Sequence, residues 1–375
     1  MRILLLTHVH EDPAAGASGS LAVLARALEL AGHDVTVRYA RKSRLERFLQ
    51  HARPVTSAIG LVKSSRRYDA IHVTGGLGLL AFPLLSRRKH RPLLVAHTYG
   101  LEVLDHEARI EEAALGRVAL SWRYRHLTSR LSLAGVAATM RNADGAVALS
   151  APSSARIIRE WLPEERVLTL GHAVTRTDNM TSYKNARKIA WLGTTVERKG
   201  WQDAVAVVSL LHERWGDDFE FHVFGSRRGH ADVLSDFAPS LRARVHPHST
   251  LSAEALQAEL GSCGIFLSLS LSEGFHMAVL EAMSLGMPVI GTATGFLAER
   301  QSPASLVPFR DPVAAADAVA ALGENEANFS RTAMASKSFA ESFSVEQMAS
   351  RLAAFYEGLQ ERRPSGAYRT EPADP

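Results

Sequence analysis

One cysteine, Cys263, stands in 375 residues. A lone thiol excludes an internal disulfide framework and fits a reducing compartment. Followed by Gly264 and the apolar run at Ile265, it reads as a small packed residue, not as a nucleophile or ligand. No apolar stretch reaches the roughly eighteen residues needed to cross a bilayer. The leading run Arg2–Leu6 meets His8 and His10 at once, too short for the apolar core of a signal peptide. The expected location is cytoplasmic. Aromatic residues make up only 7%, without aromatic interleaving of the kind that stacks bases, so a nucleic-acid partner is not expected. No acidic triad for a divalent metal is evident.

What is present describes a globular chain. Hydrophobic content of 46% and charged content of 22% are ordinary for soluble proteins, and the length suits two domains. The net charge of +4 hides an asymmetry: residues 1–187 hold 27 Lys and Arg against 16 Asp and Glu, whereas the remainder holds 16 against 23. The basic residues cluster at Arg38–Arg47, Arg66–Arg67, Arg87–Arg91 and Arg123–Arg130. Such blocks are either a solvated arginine-rich face or a surface for anionic lipid.

Along the chain, strand and helix patterns alternate. Apolar runs at 1–8, 35–39, 70–73, 93–96, 145–149 and 167–170 read as buried parallel strands. Leu21, Leu24, Ala25, Leu28 and Ala31 keep a helical period that stops at Gly32. Ser150 suits the N-cap of a helix over 153–161. After a polar, aperiodic stretch at 175–185, a second set begins, with strands at 188–192, 219–224, 264–269 and 288–291 and helices at 201–213 and 252–261. A long amphipathic helix follows at 344–361. The expected fold is α/β, with two doubly wound, Rossmann-like domains. Their expected bounds are 1–175 and 188–343, with a linker at 176–187 and a disordered polar tail at 362–375.

The most informative stretch is Ser268 to Glu281, SLSLSEGFHMAVLE. It reads as a buried strand, a turn, and a helix opening near His276. The free N–H groups of a helix start favour an anion, and phosphate is the common one. Glu273 and Glu281 flank that turn. A carboxylate beside a phosphate is repulsive unless it binds an uncharged, hydroxyl-bearing group, so the pattern suggests a nucleotide-sugar site. Ala278, Val279, Leu280, Ala282 and Met283 make the helix largely buried, so Glu281 would need a partner there.

These residues resemble a known family. Residues 268–299, SLSLSEGFHMAVLEAMSLGMPVIGTATGFLAE, are similar to the Glu-Gly-Phe-Gly-(four residues)-Glu-Ala and Gly-x-Pro-Val-Ile motifs of retaining glycosyltransferases of family 4, group 1, which have the GT-B fold. LARALELAGHDVTV (24–37), GTTVERKG (193–200) and FSVEQMASRL (343–352) add to the resemblance, which runs over about residues 1–360. It implies two domains facing across a cleft, with the C-terminal helix crossing back to the first. Glu273 is implied to lie by the donor sugar, as an electrostatic stabiliser. Gly274, Phe275, His276 and Met277 would hold the diphosphate through backbone amides, and Glu281 the ribose. Lys199 would bind the diphosphate, Gly16 would bring backbone close to it, and His97 would face the reacting sugar. His172 matches an asparagine position and stays unassigned.

Two positions depart from the pattern. Thr194 stands where the family has an arginine, and Ala15 replaces the first glycine of a Gly-Gly turn. Arg198 is adjacent to Lys199 but is expected to point elsewhere; Arg227 or Arg228 could supply the missing charge. The resemblance implies a nucleoside diphosphate sugar, of UDP or GDP form, as donor, with no cofactor or metal required. The acceptor would be a lipid-linked sugar, a glycan or a small glycoside, with the basic first half peripheral to an anionic membrane. The alternatives are a nucleotide-sugar-binding protein with reduced or lost transferase activity, motivated by Thr194 and Ala15, and a nucleotide-sugar 2-epimerase.

Overall fold

The computed structural model describes residues 1–10, 16–40, 61–63, 65–174, 177, 179–299 and 301–363. The chain divides into two compact units. One comprises Met1–Ile110, Ala119–Ala173 and Val345–Pro375, the other Glu111–Val118 and Val174–Ser344.

The first unit is built on six parallel strands: β1 (Arg2–His10), β2 (Asp34–Ala40), β3 (Ala70–Thr74), β4 (Leu93–His97), β5 (Gly145–Ala148) and β6 (Val167–Thr169). Their order in the sheet is β2-β1-β3-β4-β5-β6. Alternation along the strands explains why each reads as a continuous apolar run. Leu4, Ile71, Val73, Leu94 and Ala146 feed one core, and Ile3, Leu5, Ala70, Val95 and Val147 the other. Both faces are therefore buried, as a doubly wound sheet requires. The first core takes residues from α2 (Ala81–Ser86), α3 (Glu102–Ala114), α4 (Ser129–Arg141) and α5 (Ala151–Glu160).

The second core takes Leu21, Leu24 and Leu28 of α1 (Gly16–Leu30) and Met348, Leu352, Tyr356 and Leu359 of α12 (Val345–Glu361). The C-terminal helix thus belongs to the N-terminal unit. Two polar contacts fix it. The Tyr356 hydroxyl lies 2.9 Å from His72 Nδ1 on β3. Beyond the helix, Arg363 donates to Asp144 Oδ2 at 2.8 Å, and the same carboxylate accepts from Arg91 at 2.6 and 2.8 Å. Residues 364–375 of the expected tail lie outside the described residues.

The second unit repeats the plan with β7 (Lys188–Leu192), β8 (Glu220–Phe224), β9 (Val245–Pro247), β10 (Ile265–Ser268), β11 (Val289–Gly291) and β12 (Ser305–Leu306), ordered β12-β11-β10-β7-β8-β9 and all parallel. Its helices are α6 (Trp201–Trp215), α7 (His230–Leu234), α8 (Ala253–Gly261), α9 (Met277–Ser284), α10 (Pro312–Gly323) and α11 (Glu326–Glu341). Ile189, Trp191, Phe221, Val223, Ile265, Leu267 and Ile290 form its core. Cys263 is fully buried, and burial pushes its thiol up to about 12, so it is an inert packing residue. No helix among the described residues is long and apolar enough to cross a membrane.

Candidate active site

Three loops at the carboxyl ends of neighbouring strands build the site in the second unit. β7 runs into a 3-10 turn, Glu197–Lys199, that ends at Gly200. This glycine has φ 74°, and a Cβ there would sit 2.0 Å from the Leu269 carbonyl oxygen. No side chain fits, so the turn closes directly onto the segment after β10. The Leu271 amide donates to the Arg198 carbonyl at 2.8 Å and completes that contact.

The turn delivers two cations to one carboxylate. Lys199 Nζ donates to Glu273 Oε1, and Arg198 Nη1 lies 3.7 Å from Glu273 Oε2 while donating to the Ser272 carbonyl at 2.8 Å. The Ser270 hydroxyl also donates to Glu273 Oε1, at 2.8 Å. Burial by itself would raise the Glu273 carboxyl; the Lys199 ammonium, with His276 and the Arg198 guanidinium, outweighs it and holds the group at about 2. Glu273 is therefore a carboxylate at every physiological pH.

The expectation that Arg198 points away from Lys199 is corrected. In a 3-10 turn consecutive side chains diverge by about 120°, yet both reach Glu273 because the Ser272–Glu273 segment wraps the end of the turn. Arg198 is the functional candidate that the sequence reading set aside. Its signal was present in the cation pair preceding Gly200.

Glu273 is followed by the turn Gly274–His276 and by α9. His276 occupies the N-cap position in the left-handed region (φ 86°, ψ 56°) and makes no side-chain cap. The first N–H groups of α9 are thus left for another acceptor. The His276 ring is buried, held neutral at about 4 by burial, and bonded through Nε2 to Thr294 Oγ1 at 2.5 Å. Gly295 backs the turn: a Cβ there would lie 2.6 Å from the Phe275 carbonyl oxygen. Phe275 packs on Phe296 with ring centroids 4.9 Å apart. A left-handed conformation costs an ordinary residue about 1–2 kcal/mol and glycine little. Both His276→Ala and His276→Gly lose the imidazole, so the glycine variant should be the more stable by about 1 kcal/mol in urea unfolding. Equal stabilities would mean that the backbone relaxes out of this conformation.

Glu281 projects from the middle of α9. Its carboxylate has no ion pair or hydrogen bond among the described residues, and burial alone pushes it up to about 7. Arg227 and Arg228 follow β8. Arg228 is already paired, with Nη1 2.5 Å from Asp236 Oδ2 and 3.3 Å from Thr195 Oγ1. Arg227 is exposed, with φ 56°, and forms no ion pair among the described residues.

The remaining candidates belong to the first unit. Gly16 is the first residue of α1, and Ala15 lies outside the described residues. His97 closes β4 and is fully buried, with its ring 5.2 Å from those of both His72 and Tyr99. Neither ring nitrogen has a hydrogen-bond partner among the described residues. Burial, reinforced by His72 and His172, lowers it well below the ordinary histidine value, so the ring is neutral.

The class of domain can now be stated. Residues 186–325 match the family model "Glycosyl transferases group 1", so the chain carries a glycosyltransferase domain of that group. Solved structures with the same fold include sucrose-phosphate synthase from Thermosynechococcus elongatus, at 19% identity and a TM-score of 0.75, covering 97% of this chain and 100% of that one. HepE of Anabaena in complex with UDP matches at 16% identity and a TM-score of 0.69, covering 95% and 100%. WaaG, a glycosyltransferase involved in lipopolysaccharide biosynthesis, matches at 14% identity and a TM-score of 0.66, covering 93% and 98%. These likenesses establish the two-domain GT-B architecture. A search of curated protein sequences found no match.

Proposed function

We propose that this chain is a retaining glycosyltransferase of the family 4 type, moving a sugar from a nucleoside diphosphate sugar to an acceptor hydroxyl. One observation carries the reading: Lys199 and Arg198 converge on Glu273 beside the uncapped start of α9, with the unpaired Glu281 on the same helix. Lys199, Arg198, Arg227 and the α9 amides supply positive potential for a leaving diphosphate, and on this reading no metal is needed. Glu273, permanently charged, accepts from the sugar hydroxyls and stabilises positive charge developing at the anomeric carbon. Glu281 accepts from the ribose hydroxyls. The bond from the anomeric carbon to the phosphate oxygen breaks as the acceptor oxygen bonds on the same face, and the departing phosphate oxygen takes the acceptor's proton. His97, neutral and without a hydrogen-bond partner among the described residues, is a hydrogen-bonding group for the reacting sugar.

HepE has been solved with UDP-glucose as well as with UDP, which favours a uridine nucleotide as the first donor to try, ahead of the GDP form. The test is release of free nucleoside diphosphate from a panel of UDP and GDP sugars with mixed acceptors. Turnover with at least one donor is expected. Binding without release would instead favour the nucleotide-sugar-binding alternative.

The acceptor reading rests on α4 and the segment before it. Trp122, Leu127 and Leu131 are 70%, 46% and 61% exposed, and Arg123, Arg125 and Arg130 project from the same stretch. Exposed large apolar side chains interleaved with arginines suit an anionic membrane surface, and hence a lipid-linked acceptor. The protein should co-sediment with vesicles containing anionic lipid at low salt and be released at high salt. A Trp122→Ala, Arg123→Glu, Arg125→Glu variant should stay in the supernatant. Failure of the wild type to bind at low salt would leave a soluble acceptor, such as a small glycoside.

A further inference from the structure

A group of imidazoles and one carboxylate on the outer edge of the second sheet lies outside everything described so far. On β8, Phe221 and Val223 point into the core, so Glu220, His222 and Phe224 share the opposite face. Parallel register then sets His246 of β9 directly beside His222, and His248 follows just beyond the end of that strand. One ligand atom from each of Glu220, His222 and His246 lies within 4.8 Å of the others. The His222 ring stacks on those of His246 and His248 at centroid separations of 4.9 and 5.3 Å. Phe224 stacks on His248 at 4.1 Å and walls one end.

We propose that Glu220, His222 and His246 form a binding site for a divalent transition metal, zinc or nickel in class, with His248 positioning His222 from behind. Both ring nitrogens of His222 are engaged, and a metal would replace the proton that Nε2 now shares with Glu220, leaving the ring's proton on Nδ1. His222 Nε2 faces Glu220 Oε2 at 3.0 Å, and its other nitrogen, Nδ1, faces His248 Nε2 at 3.0 Å. A metal-bound imidazole donates its remaining N–H to an acceptor, and His248 Nε2 is that acceptor. Bonds of about 2.0–2.1 Å to zinc place tetrahedral ligand atoms about 3.3 Å apart. The Glu220–His222 pair, at 3.0 Å, is already near that spacing, and the His246 ligand atom lies within 4.8 Å of both. Lys188 Nζ, 3.4 Å from Glu220 Oε2, is the charge the metal would displace.

Other charges nearby are the Arg244 guanidinium beside His246 and the Glu259 carboxylate beside His248. Two histidines and a carboxylate leave a fourth position open to water. The ligands lie within β8 and β9 themselves, whereas the donor loops follow the carboxyl ends of the strands. Because it ties the three-residue edge strand β9 to β8, bound metal would hold that edge in place.

The test uses the full, untagged chain, freed of metal by chelation and titrated with Zn²⁺ and separately with Ni²⁺ by calorimetry. One equivalent should bind per chain, and the melting temperature should rise with metal. His222→Ala and His246→Ala should each abolish the stoichiometric step. His248→Ala should weaken it by about 10–100-fold, as expected for a supporting partner. Glu220→Gln, at the exposed edge, provides a weakened variant should the core-facing strand not tolerate alanine at 222. No stoichiometric binding, or binding unchanged in His246→Ala and Glu220→Gln, would overturn the proposal.

Discussion

Glu281→Gln should make the protein more stable at pH 8 while weakening its hold on the donor. The Glu281 carboxyl is pushed up to about 7 by burial, from an ordinary 4.5, and no cation offsets it. A carboxyl raised on folding favours the folded state fully below pH 4.5, where both states are protonated. That contribution is lost as pH rises from about 4.5 through about 7, because the folded chain must then hold a buried charge. A shift of this size corresponds to at most about 3 kcal/mol. Glutamine stays neutral, so the variant's advantage should be absent at pH 4, grow between pH 4.5 and 7, and level off above. Thermal unfolding of both proteins across that range measures it. The same variant should bind a nucleoside diphosphate about ten- to a hundredfold more weakly, since hydrogen bonds to a charged acceptor contribute about 1.5–3 kcal/mol. Uniform destabilisation at every pH would show instead that Glu281 has a structural partner.

Glu273 should show the opposite balance. Its carboxyl is held at about 2, so its contribution to stability is present above pH 4.5 and fades as pH falls towards 2. Glu273→Gln leaves Lys199 and Arg198 facing each other without a counter-charge, and breaking such a pair on one side destabilises by about 3–5 kcal/mol when fully buried. Glu273 and Lys199 side chains are 10% and 21% exposed, so the loss should fall below that range. Turnover should drop about 10²–10³-fold, the usual effect of removing one preorganised electrostatic group. Lys199→Met should reduce turnover comparably. In the double variant Glu273→Gln, Lys199→Met the stability loss should be smaller than in Glu273→Gln alone, because no cation is left uncompensated, yet activity should not recover. Denaturant unfolding and nucleotide release, measured on the same three proteins, separate the two roles. If activity returned in the double variant, the pair would be structural only.

Much of the layout was legible because buried parallel strands announce themselves. All six strands of the first unit coincide with apolar runs, and Lys188–Leu192 matches to the residue. The edge strands Val245–Pro247 and Ser305–Leu306 escaped because two or three residues carry no periodicity. In the candidate site, the motif around Glu273 picked out the segment, but its geometry depends on facts that spacing does not carry. Arg198 reaches Glu273 only because the Gly200 turn is pressed against the Leu269 carbonyl. Glu281 has no ion pair or hydrogen bond among the described residues, which spacing does not reveal, and its raised value is the consequence. The imidazole cluster was invisible for a third reason. His222 and His246 are far apart in sequence, and only the register of β8 on β9 sets them side by side.

Titration of the protein with UDP and with GDP, for the wild type and for Lys199→Ala, tests the central claim most directly. If Lys199, the turn after Glu273 and the start of α9 hold a diphosphate, at least one nucleotide should bind with one equivalent per chain. That affinity should fall at least tenfold in Lys199→Ala. Nucleotide binding that is absent in the wild type, or unchanged when Lys199 is removed, would contradict the assignment of the site.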